Sequence, residues 1–238
     1  MQVALRQRWW RRTIWLPPRV GVLELAMKTR IMALALLLSA CTGLNGSGKK
    51  AESVRTQAAV DSLELGGAME VVVTVGAGNP EVKLIGDDNL LPHILTTVTD
   101  GKLVVKSDVD VRPNLPLELH VTTPDLHNLL VSGAGSVKAS GLHGPLFTAQ
   151  LSGAASVTLS GEVTAAKLNI SGAGSFEAGG LKAQTVTVDI SGAASAEVFA
   201  SESLTAEISG AGSVKYAGKP KTITRHIMGV GVLKAKDE

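Results

Sequence analysis

"ISGAGSFEAGGLKAQTVTVDISGAAS", residues 170–195, begins and ends on nearly the same six letters. Close copies stand at 131–136 (VSGAGS), 151–156 (LSGAAS) and 208–213 (ISGAGS). The serines that open the motif, Ser132, Ser152, Ser171, Ser191 and Ser209, are spaced 20, 19, 20 and 18 residues apart. "HIMGVGVLKAK" at 226–236 reads as a degraded sixth copy, with Met228 in the serine position, and "LELGGAMEVVV" at 63–73 as a degraded early one. A fixed period near 20 is the mark of a repeat architecture.

Stacking the copies shows what each position requires. Val131, Leu151, Ile170, Ile190, Ile208 and Ile227 precede the serine. One residue earlier stand Leu130, Gln150, Asn169, Asp189, Glu207 and His226, and before these Leu129, Ala149, Leu168, Val188, Ala206 and Arg225. After the motif, Val137, Val157, Phe176, Ala196, Val214 and Leu233 form an apolar column, and Lys138, Thr158, Glu177, Glu197, Lys215 and Lys234 a polar one. A second apolar column follows with Ala139, Leu159, Ala178, Val198, Tyr216 and Ala235. Both flanks alternate with period 2, which is the strand period. Each unit therefore reads as strand, SGAGS corner, strand and a looser corner ("SGLHGP", "SGEVTA", "AGGLKA", "AGKPK"). Equivalent residues recur in the same order, so like stacks on like in parallel. That predicts an all-β solenoid of about 19–20 residues per coil, with coils about 4.8 Å apart. The third letter of the motif core alternates between Gly and Ala from copy to copy. Residues 58–128 are less regular but strand-like, with a short helix expected from Asp87 or Asp88 in "DDNLLPHILTTV", limited by Pro92.

The beginning of the chain is foreign to this pattern. All three tryptophans lie within the first 15 residues. "MKTRIMALALLLSAC", residues 27–41, has a basic start, a short apolar run and "LSAC". This resembles the signal peptide and lipobox of bacterial lipoproteins. The resemblance implies cleavage before Cys41 and lipidation of its thiol. Residues 27–40 are then the signal peptide, and residues 1–26 an upstream stretch translated from a mistaken start. A twin-arginine signal at Arg11-Arg12 fits less well, because two prolines and an arginine interrupt the run that follows. Thr42, rather than an aspartate, follows Cys41 and points to the outer membrane. Cys41 is the only cysteine, so no disulfide forms within the chain.

Residues 1–41 hold seven of the 23 basic and one of the 21 acidic residues, which leaves 16 and 20, a formal −4. Such a balance argues against nucleic acid as a partner. Residues 41–57 are polar and non-periodic, and are expected to form a lipidated cysteine and flexible tether before a domain at 58–236. Within them Gly43, Gly48 and Lys49 imitate a phosphate-binding loop. Lys50 stands where a Ser or Thr hydroxyl is needed, and no strand-to-helix context is predicted.

Convergent chemistry is sparse. The column Gln150, Asn169, Asp189, Glu207, His226 could place Asp189 and Glu207 on adjacent coils, as a carbohydrate-cleaving β-helix would need, but it reads better as a solvated face. His93, His120, His127 and His143 lack metal-ligand spacing. Repeated serines suit a structural corner, not a unique nucleophile. Phe176 and Tyr216 fall in inward columns, which leaves Phe199 as the surface ring on which a glycan platform would rest.

"LELGGAMEVVVTVG", "EVKLIGDDNLLPHILTTVTDGKLVVKS" and the repeated "ISGAGS", over about residues 58–236, resemble the putative auto-transporter adhesin head domain of GIN type. The resemblance implies a right-handed, single-stranded parallel β-helix in a bacterial envelope protein, and carries no catalytic, cofactor or metal residues with it. The sequence thus points to a lipid-anchored, non-enzymatic envelope protein with a solenoid binding surface. The alternatives are a polysaccharide-acting enzyme or a purely structural lipoprotein. Beyond the membrane that would hold the anchor, a glycan, an envelope or surface protein and a second copy of the chain all remain open as partners.

Overall fold

A computed structural model describes residues 43–56 and 58–236. The upstream stretch 1–26, the signal segment 27–40 and Cys41 lie outside the described residues.

Chain order gives β1 (Leu44–Asn45), β2 (Lys50–Thr56), β3 (Ser62–Leu65), β4 (Ala68–Val75), β5 (Glu81–Asp87), a 3₁₀ turn (Leu91–His93), β6 (Ile94–Thr99), β7 (Lys102–Ser107), β8 (Val111–Arg112), β9 (Glu118–Thr123) and β10 (Asn128–Val131). The coils follow as β11 (Ala134–Leu151), β12 (Ala154–Ile170), β13 (Ser175–Ile190), β14 (Ser195–Gly210), β15 (Ser213–Ala217), β16 (Thr222–Gly229) and β17 (Val232–Ala235). Each long strand wraps one turn and pairs in parallel with the next, so the described residues form a parallel β-solenoid of about five turns.

The columns of the sequence become ladders. Val131, Leu151, Ile170, Ile190 and Ile208 stack in register, and none is more than 4% exposed. Val137, Val157, Phe176, Ala196 and Val214 do the same on the far side of the corner. A third inward ladder, Phe147, Ala166, Val186 and Leu204, closes the core. The early copy is also real: Val131 pairs with Leu65, and Val137 with Val71.

The motif's first glycine is a steric requirement. A Cβ on Gly153, Gly172 or Gly192 would lie 2.1–2.3 Å from the carbonyl oxygen of the corresponding glycine one coil back. The alternating third letter has a packing reason too. Ala155 and Ala194 sit in the core at 5% and 8% exposure. At the coils between and beyond them the same space is taken: a Cβ on Gly174 would meet Leu151 Cδ2 at 2.7 Å, and one on Gly212 would meet Ile208 Cγ2 at 2.9 Å. Large and small residues alternate along the corner, as a close-packed interior requires.

The N-terminal end is capped by a reversal of chain order. β3 lies between β7 and β10, and β4 between β9 and β11, so residues 76–123 turn back over the first coil before the chain resumes the stack. The cap pairs antiparallel, β6 with β7 and β5 with both β9 and β2. The C-terminal end has no such cover among the described residues. All eight residues of β16 are exposed, and Ile223, Ile227, Val230 and Val232 are at least 36% open. Arg225 aligns with Ala206 in the inward column and is exposed at this end.

Two sequence expectations need correction. Residues 43–56 are not a free tether. β2 alternates half-buried and exposed residues along the edge of β5, and the Arg55 guanidinium donates to Ile94 O at 3.0 Å, Thr96 Oγ1 at 2.6 Å and Leu91 O at 3.3 Å. An edge strand buries only part of one face, so its sequence carries little apolar signal. The expected helix after Asp87 is a single 3₁₀ turn at Leu91–His93. Asp87 ends β5 with its side chain buried, so it does not cap the turn.

Candidate functional site

Asp87 explains the glycine-rich stretch that imitated a phosphate loop. Its Oδ1 accepts from Gly48 N at 2.7 Å, and its Oδ2 from Asn114 N at 2.9 Å and Leu115 N at 3.1 Å. A Cβ on Gly46 would stand 2.3 Å from Oδ2, so the backbone closes on the carboxylate only because Gly46 has none. Desolvation pushes the Asp87 pKa up, but the N–H groups of Leu115, Gly48 and Asn114 outweigh it and hold the carboxyl below its ordinary value. The anion this loop binds is the protein's own, and the site is a clasp.

The polar column Gln150, Asn169, Asp189, Glu207, His226 is a continuous exposed or half-exposed ladder. Asp189 and Glu207 are adjacent in register, as the spacing indicated, and both face outward. Glu177 and Glu197 are also adjacent, and Lys236 Nζ lies 2.6 Å from Glu197 Oε1. Among the described residues, no three His, Cys, Asp or Glu side chains are grouped to hold a metal ion. His93, His120 and His143 each face one carboxylate instead: Asp108, Glu118 and Asp125.

A concavity lies at the looser corner. An open trough of about 600 Å³ crosses β11 to β14. One ladder, His143, Glu162, Lys182, Phe199, runs along it with one residue from each coil. Lys182 Nζ sits 3.9 Å from the centroid of the Phe199 ring, a cation–π contact. His143 Nδ1 lies 3.0 Å from Gly141 O and Nε2 3.1 Å from Asp125 Oδ1. Glu162 projects into the trough from the rung between His143 and Lys182. Thr164, Gln184 and Ser201 add hydroxyls and an amide along the other side.

The coils make this hollow by being unequal. The register slips at Ala139/Leu142, Thr158/Ser160 and Ala178/Lys182, all at the looser corner. Two residues fewer separate Ser191 from Ser209 than Ser171 from Ser191, so Phe199 aligns directly with Lys182. Phe199 is half-exposed there. The sequence singled out this ring, weighed His143 only as a metal ligand, and did not mark Glu162 or Lys182. The signal was present in the aligned corners "SGLHGP", "SGEVTA" and "AGGLKA", once bulges are allowed for.

Among the described residues, no helix is long and apolar enough to cross a membrane. The family model described as "Putative auto-transporter adhesin, head GIN domain" matches residues 59–220. No curated protein matches the chain. A putative adhesin from Bacteroides fragilis is 24% identical with a TM-score of 0.69, over 82% of this chain and 100% of that one. A putative lipid binding protein from Parabacteroides distasonis is 19% identical with a TM-score of 0.51, over 82% and 100%. These likenesses are ones of fold.

Proposed function

We propose, for a chain that belongs to the head GIN domain family of putative auto-transporter adhesins, that the solenoid is the binding head of a lipid-anchored protein of the bacterial outer membrane. Cys41 carries the lipid, and the domain binds without catalysing a reaction. The trough of unequal coils carries this reading. It is a concave surface lined by charged, hydroxyl, amide and aromatic side chains, and these lie along a ladder instead of converging on one reacting atom. Asp189 and Glu207 lie on an outward ladder and do not line the trough. The test displays residues 42–238 on lipid-coated beads and counts attachment to bacterial and animal cell layers. Saturable attachment, competed by soluble domain, is expected. Absence of attachment to any surface overturns the reading, as does polysaccharide cleavage that Asp189→Ala or Glu207→Ala abolishes. Mass spectrometry of the native N-terminus checks the anchor, with a diacylated Cys41 as the first residue expected.

A further inference from the structure

We infer that the His143–Glu162–Lys182–Phe199 trough is a saccharide subsite that takes a neutral glycan chain laid along the solenoid axis. The inference rests on the binding role proposed above and names its ligand class.

Shape comes first. The trough spans four successive coils, so with coils about 4.8 Å apart it runs roughly 14 Å along the axis. It is open along its length, which suits an internal stretch of a chain as well as an end. A trough this open does not suit an apolar ligand, which needs enclosure to lose its water.

Chemistry decides the class. Phe199 supplies a half-exposed aromatic ring at the end of the ladder, and a sugar ring can lay its C–H face on it only where the Lys182 ammonium leaves the ring uncovered. Lys182 rests on that ring, so its ammonium is held in place and not free to sweep the solvent. Glu162 occupies the rung beside it. A carboxylate acceptor and an ammonium donor thus stand on neighbouring rungs. Sugar hydroxyls both donate and accept, so one ring can serve both groups. Thr164, Gln184 and Ser201 extend the same dual capacity across the trough.

Charge selects neutral over acidic glycans. The Glu162 and Lys182 charges offset one another, and His143 is already directed at Asp125. An acidic polymer would meet the Glu162 carboxylate beside the Lys182 ammonium and gain no net charge attraction. A ligand bound in this way should be insensitive to salt, because no net counterion release accompanies it.

The test is affinity electrophoresis of residues 42–238 in native gels. The gels contain dextran, mannan or a mixed-linkage β-glucan as neutral probes, and polygalacturonate as the acidic one. Retardation by at least one neutral polymer is expected, unchanged between low and moderate salt. Glu162→Gln keeps the exposed side chain's shape and should weaken retardation about tenfold, the scale of one charge-assisted hydrogen bond. Phe199→Ala should abolish it, with circular dichroism confirming the fold, and Lys138→Glu on another wall should leave it intact. Retardation by polygalacturonate alone overturns the inference, as does retardation that survives both Glu162→Gln and Phe199→Ala. Attachment to cells with no retardation by any polymer overturns the saccharide assignment and leaves the adhesive role standing. Failure of both assays removes the two together.

Discussion

Ile190 shows how a single side chain reports on the whole assignment. It stands in the middle of the inward ladder, with Ile170 on one side and Ile208 on the other, and is fully buried. Ile190→Asp would place a carboxylate where no donor reaches it, a substitution expected to cost more than about 4 kcal/mol. The expected outcome is loss of the cooperative thermal transition, followed by circular dichroism. Lys138→Glu, exposed on an outward ladder, should leave the melting temperature within about a degree or two of the parent, consistent with an effect below about 0.5 kcal/mol. Asp87 makes a prediction of a different kind. Its folded pKa lies below its unfolded value, so the stability it contributes is present in full above the unfolded pKa, near 4. That contribution is lost as pH falls through the folded value. The β2 amides of Lys50–Thr56 should therefore keep native NMR shifts down to about pH 4 and lose them below it, before the coils respond. In Asp87→Asn the amide NH₂ would confront backbone donors, so the same shifts should be non-native already at pH 7.

The elements differ in how openly the sequence declares them, and the reason is how many faces each one buries. The coils β11 to β14 were legible because their inward ladders repeat every 18–20 residues and the crowded corner imposes Gly at a fixed place. The steric basis predicts that Gly172→Ala, which would bring a Cβ to 2.3 Å from Gly153 O, costs about 1–3 kcal/mol even though alanine is small. Urea denaturation should show a lower midpoint with little change in slope. The cap was not legible. β2 is polar and covers an edge, and its anchoring depends on Arg55 reaching carbonyls about 40 residues away. No local pattern announces a contact of that kind. The trough fell between these extremes. Phe199 stood out as a surface aromatic, but Glu162 and Lys182 come beside it only through bulges that break the repeat period.

Over the whole molecule, stability should be graded along the axis. A solenoid coil contacts only its neighbours, so each coil owes its cohesion to two interfaces if it is internal and to one if it is terminal. The N-terminal end escapes this rule, because β2, β5, β6 and β7 pair antiparallel around the first coils and Asp87 clasps two loops to them. At the other end β16 pairs with β14 on one side only, and its inward-column residues Ile223 and Ile227 face solvent. Arg225 holds the inward position aligned with Ala206, where an internal coil would bury an apolar group. Opening should therefore begin at β16 and β17 and stop at β14, whose inward residues are buried. Hydrogen exchange followed by mass spectrometry should find peptides from 218–236 exchanging at least about tenfold faster than those from β12 and β13, while β5 and β9 match the central coils. The gradient belongs to the uncovered end, so a ligand or second chain seated on β16 should abolish it, whereas occupation of the trough on β11 to β14 should leave it unchanged. If 218–236 proves as protected as β13 in the isolated protein, that end is covered in solution and β16 is not a free edge.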